Sequence, residues 1–229
     1  MIRQLKKIKA KAIICICLTG LLLLSQIATA QKTAVGLRYL LTYSSFDLKT
    51  ADGAKLRGQS NEGYGIGILM AHCFSEYISM QDEIIYSSIS QTYKDIGLSR
   101  EINLKNIDIP ILMSLNTGIS APVNVNIVAG PQIGINIGSH IFSTGLGNST
   151  LLQPVLNVKS IDISLVYGGG FDYKLSRSGN MRLSVGFRGT YGLTDISNKN
   201  KSINDDSYNI LGKAHVKTNS LYLGLLFLL

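Results

Sequence analysis

Residues 123–138 read VNVNIVAGPQIGINIG, and this stretch decides the fold. Its odd positions carry Val123, Val125, Ile127, Ala129, Pro131, Ile133, Ile135 and Ile137. Its even positions carry Asn124, Asn126, Val128, Gly130, Gln132, Gly134, Asn136 and Gly138. A period of two separates the apolar set from the small and polar set, and that is the period of a β-strand. A soluble half-buried strand runs about 5–6 residues, whereas a transmembrane strand needs about 9–11 at a tilt of about 45°. The stretch exceeds both, so it is expected to cross a membrane with one face in lipid.

The same alternation recurs on either side. Strands are expected over residues 35–43, 64–71, 77–90 and 106–115 before it, and over 161–174, 181–193 and 220–229 after it. In the last of these Leu221, Leu223, Leu225, Phe227 and Leu229 form one face, with Ser220, Tyr222 and Gly224 on the other. The connections after the first, third, fifth and seventh strands (44–63, 91–105, 139–160, 195–213) are long and polar. Those after the second, fourth and sixth (72–76, 116–122, 176–180) are short and rich in turn formers. Outer-membrane barrels show this asymmetry, with short periplasmic turns and longer extracellular loops. The expected fold is an all-β, eight-stranded antiparallel up-and-down transmembrane barrel over residues 31–229. The alternative is an exported soluble sandwich or lipocalin-like barrel, whose apolar face points inward. Here the polar face is mostly Gly, Ser, Asn and charges, as a narrow lumen is, and Tyr gathers near the ends of the apolar face.

Composition agrees. The 229 residues suit one or two domains, and only 16% are charged against about a quarter in soluble domains. Residues 1–30 have the layout of a signal peptide. Arg3, Lys6, Lys7, Lys9 and Lys11 precede an apolar run, and Ala28-Thr29-Ala30 supplies a small-x-small motif, so cleavage is expected after Ala30. Removing the five leader cations from the 22 Lys and Arg leaves 17 against 14 acids, a net of +3, so the basic balance gives no support for nucleic-acid binding. Cys73 is then the one cysteine left, and no intrachain disulfide is expected.

Several stretches resemble the PorT-like outer-membrane β-barrel family, the outer membrane protein beta-barrel domain. Asn106-Ile107-Asp108-Ile109-Pro110 resembles its fourth-strand motif, and Ala129-Gly130-Pro131-Gln132 its following Gly-Pro strand. Gly168-Gly169-Gly170-Phe171-Asp172 and residues 188–196, RGTYGLTDI, resemble its last hairpin. The resemblance implies a Gram-negative outer-membrane barrel and, through the family's namesake, a link to protein secretion.

Eight strands enclose a space just wide enough for side chains to fill. Parity turns Arg38, Glu83, Asp108, Asp162, Asp172, Lys174, Arg182 and Arg188 into it. Unpaired charges there are costly, so a charge network plugging the lumen is expected, with Arg182 and Arg188 bonding to Asp162 or Asp172. Pro110 and Pro131 fall on opposite faces of neighbouring strands, and neither can donate to a ladder. A bulge or missing bonds are expected there.

No enzyme, cofactor or metal site is expected. His72, His140 and His215 have no companions at metal spacing, and His140 with Ser139 and Ser143 reads as loop polarity. The function expected is a structural or accessory barrel, monomeric, surrounded by outer-membrane lipid and lipopolysaccharide. The barrel-assembly machinery is its partner in biogenesis, and other envelope proteins are partners afterwards. The alternatives are a porin-like small-solute pore and a rim-sited lipid-modifying enzyme.

Overall fold

The computed structural model describes residues 33–49, 55–56, 58–95, 98–145, 159–176, 180–196 and 213–229. Eight long strands dominate: β1 Thr33–Lys49, β2 Gly58–Cys73, β3 Ile78–Asp95, β4 Leu98–Asn116, β5 Val123–Gly145, β6 Ile161–Lys174, β7 Met181–Gly192 and β8 Lys213–Leu228. Each pairs antiparallel with the next, and β8 returns to β1 from Ala34↔Leu228 to Lys49↔Lys213. A two-residue strand, Lys55–Leu56, folds back on the end of β1. Closure pairs every long strand on both sides, which is what a sheet needs in a solvent that offers no hydrogen bonds. The expected eight-stranded barrel is the fold. The leader and its cleavage site lie outside the described residues.

Burial follows the parity of β5. Asn124, Asn126, Val128, Gln132 and Gly134 are buried, while Ile127 is 60% exposed and Ile133 45%. The same outward apolar face recurs round the barrel at Leu37, Ile68, Ile84, Met113, Leu165, Val185 and Leu223, all exposed. An apolar surface this continuous belongs in lipid rather than water. Tyr43, Tyr64 and Tyr191 stand toward one rim of this belt and Phe74, Tyr77, Tyr173 and Phe227 toward the other, the arrangement of interfacial girdles.

The long polar connections are shorter than expected. Residues 91–105 are almost wholly strand, because β3 runs to Asp95 and β4 restarts at Leu98. Gln91, Ile102 and Leu104 face inward there, each 1% exposed. Beyond the lipid belt the outward face meets water, so it need not be apolar, and a strand there loses its two-sided signature. β5 likewise continues to Gly145 and β8 begins at Lys213. The barrel wall therefore rises past the belt on the side of the longer connections, here called the outer side.

The prolines behave as expected for β4. Pro110 is buried and Pro131 exposed. The β4–β5 ladder lapses between Pro110↔Gln132 and Met113↔Ala129, and the β3–β4 ladder lapses between Asp82↔Ile111 and Ile85↔Asp108, neither with a change of register. Pro131 stands in the same β4–β5 lapse, while on its other side it keeps its place opposite Leu165 in a continuous β5–β6 ladder.

Candidate functional site

The inward residues sort into three layers. At mid-height Glu83 of β3 accepts from Arg188 of β7 twice, Nη1 to Oε2 and Nη2 to Oε1, both at 2.8 Å. Its Oε1 also accepts from Arg38 Nη1 of β1. The three side chains are 0–3% exposed. Tyr222 of β8 completes the layer, with the Arg38 guanidinium carbon 4.4 Å from its ring centroid and that of Arg188 at 5.7 Å. A fork-shaped guanidinium on a carboxylate is the strong form of ion pair, and an aromatic face accepts further cation density. One acid, two cations and a ring from four strands thus span the lumen.

This geometry corrects one expectation. Neither Arg182 nor Arg188 bonds to Asp162 or Asp172. The β6–β7 register sets Arg188 opposite Gly168 and Arg182 opposite Lys174, so neither arginine has an acid directly across the ladder. With only Gly168 facing it, the long Arg188 side chain crosses the barrel to Glu83. Tyr222 was the member that sequence reading left out. Its signal was an aromatic of inward parity, and the ring needs glycine beneath it: a Cβ on Gly186 would lie 2.5 Å from Tyr222 Oη.

The inner layer is built from amides. Asp172 Oδ2 accepts from Asn124 Nδ2 at 3.0 Å and from Asn126 Nδ2 at 2.9 Å. Asn124 Nδ2 also reaches Asn116 Oδ1 at 3.0 Å. Arg182 Nη2 donates to Ala121 O at 2.8 Å, tying the β4–β5 turn across the inner mouth. Lys174 is half-buried beside Arg182 and forms no ion pair among the described residues.

The outer layer holds Asp108 and Asp162. Asp108 Oδ2 accepts from Ser87 Oγ at 2.6 Å, and Asp162 Oδ2 from Ser164 Oγ at 3.0 Å. They line a cavity of about 60 Å³, room for a few water molecules. Thr42 Oγ1 and Ser220 Oγ, 2.8 Å apart, also line it.

No group of three or more His, Cys, Asp or Glu side chains suited to a metal occurs among the described residues. His72 faces Asp82 at 3.7 Å, a half-exposed pair. The backbone of residues 139–143 lies in β5, and the side chains of His140 and Ser143 lie outside the described residues. Cys73 is half-buried and forms no disulfide among the described residues.

A closed barrel with an apolar outer belt, aromatic rims and a polar, charge-filled lumen is the architecture of an outer-membrane β-barrel protein. Residues 29–198 match the family model of the outer membrane protein beta-barrel domain, and the chain belongs to this family. No curated protein sequence matches it. Among solved structures it is similar to Neisserial surface protein A at 13% identity and a TM-score of 0.48, covering 85% of this chain and 96% of that one. It is similar to the outer membrane protein OprG from Pseudomonas aeruginosa at 14% identity and a TM-score of 0.49, covering 87% and 95%. It is also similar to Ail, the attachment invasion locus protein of Yersinia pestis, in complex with the heparin analogue sucrose octasulfate. That match has 13% identity and a TM-score of 0.40, covering 87% and 100%.

Proposed function

We propose that the protein is a sealed outer-membrane barrel with a structural or accessory role in the envelope and no enzymatic activity. The observation that supports this is the Arg38–Glu83–Arg188 cluster under Tyr222, drawn from four strands and 0–3% exposed in its charged members. Opening a path through it means separating a carboxylate from two guanidiniums in a space without bulk water, which costs several kcal/mol. The Asn116 and Asn124 amides with the Asp172 carboxylate, and the Arg182–Ala121 bond, set a second closure at the inner mouth.

On this reading the barrel acts as a monomer inserted by the barrel-assembly machinery. Lipid and lipopolysaccharide surround its belt, and its turns and outer connections meet other envelope proteins. The PorT-like placement rests on the motif at residues 106–110, whose Asp108 and Pro110 both turn into the lumen; a link to protein secretion follows from that resemblance alone. Protein purified from outer membranes and added to a planar lipid bilayer is expected to give no current steps above the lipid baseline. Discrete, reproducible steps would refute the sealed barrel and favour a small-solute pore.

A further inference from the structure

We propose that the outer half of the lumen, above the Arg38–Glu83–Arg188 plug, is a blind pocket that binds a primary ammonium group. Asp108, Gly134 and Asp162 lie in one row across β4, β5 and β6, paired Asp108↔Gly134 and Gly134↔Asp162. A Cβ on Gly134 would run into the Asp162 carboxylate and lie 3.2 Å from Asp108 Oδ1. The two acids therefore converge over Gly134, and the Asp162 carboxylate occupies the space that a side chain there would need.

Neither acid is neutralised. Each accepts from a serine hydroxyl, Ser87 or Ser164, and neither joins an ion pair among the described residues. The cations that line the same cavity are engaged elsewhere. Arg188 holds Glu83 with both terminal nitrogens, and Lys159 Nζ donates to Asp195 O at 2.7 Å. Two facing carboxylates without a counter-charge are an arrangement that a bound cation relieves.

Gln132 supplies the second and independent observation. It lies two residues from Gly134 on the same inward face, lines the cavity and is 8% exposed. Its side-chain amide has no hydrogen-bond partner among the described residues. A polar side chain so buried is normally satisfied, and here what it faces is the cavity.

The ligand class follows from the donor count. A primary ammonium carries three N–H donors, and around Gly134 the Asp108 and Asp162 carboxylates and the Gln132 carbonyl are available to accept them, with further hydroxyl oxygens in the same lining. The rest of the lining is mixed: hydroxyls and amides such as Thr42, Asn106 and Ser220 alternate with Leu40, Ile85 and Leu104, which can meet a short alkyl stem. Calcium asks instead for about six to eight oxygens, and no third acid, His or Cys joins this pair among the described residues.

The test is a titration of the protein, purified from outer membranes into detergent micelles and isotopically labelled, with n-butylammonium chloride at constant ionic strength. The Gln132 side-chain amide resonances are followed by NMR, and heat-modifiable gel mobility establishes that each variant is folded. Expected are saturable shifts at Gln132 in the wild type, and affinity at least about tenfold weaker in Asp108→Asn and in Asp162→Asn. Butyltrimethylammonium, which has no N–H donor, is expected to bind the wild type at least about tenfold more weakly than n-butylammonium. That comparison needs no variant to fold. Absence of saturation, equal affinity of the two ammonium probes, or unchanged affinity in the folded Asp→Asn variants overturns the proposal. Tighter binding of Ca²⁺ than of n-butylammonium at the same resonances overturns the ammonium assignment in favour of a metal.

Discussion

Glu83→Ala is expected to lower the unfolding free energy of the barrel by about 3–5 kcal/mol, the loss that follows removal of one partner from a buried ion pair. The reason is what stays behind. Arg38 and Arg188 are each 3% exposed in their side chains, and Glu83 is the acid both of them bond. Without it two guanidiniums face each other across a narrow lumen, with Tyr222 as their remaining shared contact. Urea unfolding in lipid vesicles, followed by the loss of heat-modifiable mobility, reads the change. A triple variant, Arg38→Met with Glu83→Leu and Arg188→Met, is expected to recover most of the loss. Replacing a buried ionic cluster by apolar groups of similar volume is often neutral or stabilising. A Glu83→Ala penalty under about 1 kcal/mol would show that water reaches the cluster and that it is not a plug.

The second large effect lies on the outside. Ile68 projects outward from the middle of β2 and is 57% exposed. Ile68→Arg is expected to cost about 2–4 kcal/mol, the penalty for arginine at the midplane on the lipid face of a barrel. Tyr43→Arg, toward the outer rim, is expected to cost about 0–1 kcal/mol. This depth dependence separates lipid from water, because a surface substitution in a soluble barrel changes stability by no more than about 0.5 kcal/mol. Equal small effects at both positions would remove the lipid belt from the account.

What the sequence disclosed, and what it did not, divides along the membrane boundary. Within the belt one face must be apolar and the other must fit a narrow lumen, so β6 was legible at both ends, from Ile161 to Lys174. Past the belt that constraint lapses, and 91–105 looked like loop although Gln91, Ile102 and Leu104 keep perfect inward parity. Parity also identified the inward charges, because it depends on one strand at a time. Their partners depend on the diameter and register of the whole barrel. Arg188 meets Glu83, 105 residues away, and no local pattern distinguishes that acid from Asp162 or Asp172. The pairing of Asp108 with Asp162 across Gly134 was hidden for the same reason, since it needs two ladder registers at once. Tyr222 escaped notice because an aromatic on a polar face reads as an exception until Gly186 is placed beneath it.

A membrane barrel requires the outward face of β5 to meet lipid. The chain contains no tryptophan, so a single indole reports its surroundings without background. Ile127→Trp, in bilayers whose acyl chains carry bromine, is expected to show blue-shifted emission that the bromine strongly quenches. Emission typical of a water-exposed indole, equal in brominated and ordinary lipid, would contradict the membrane barrel itself.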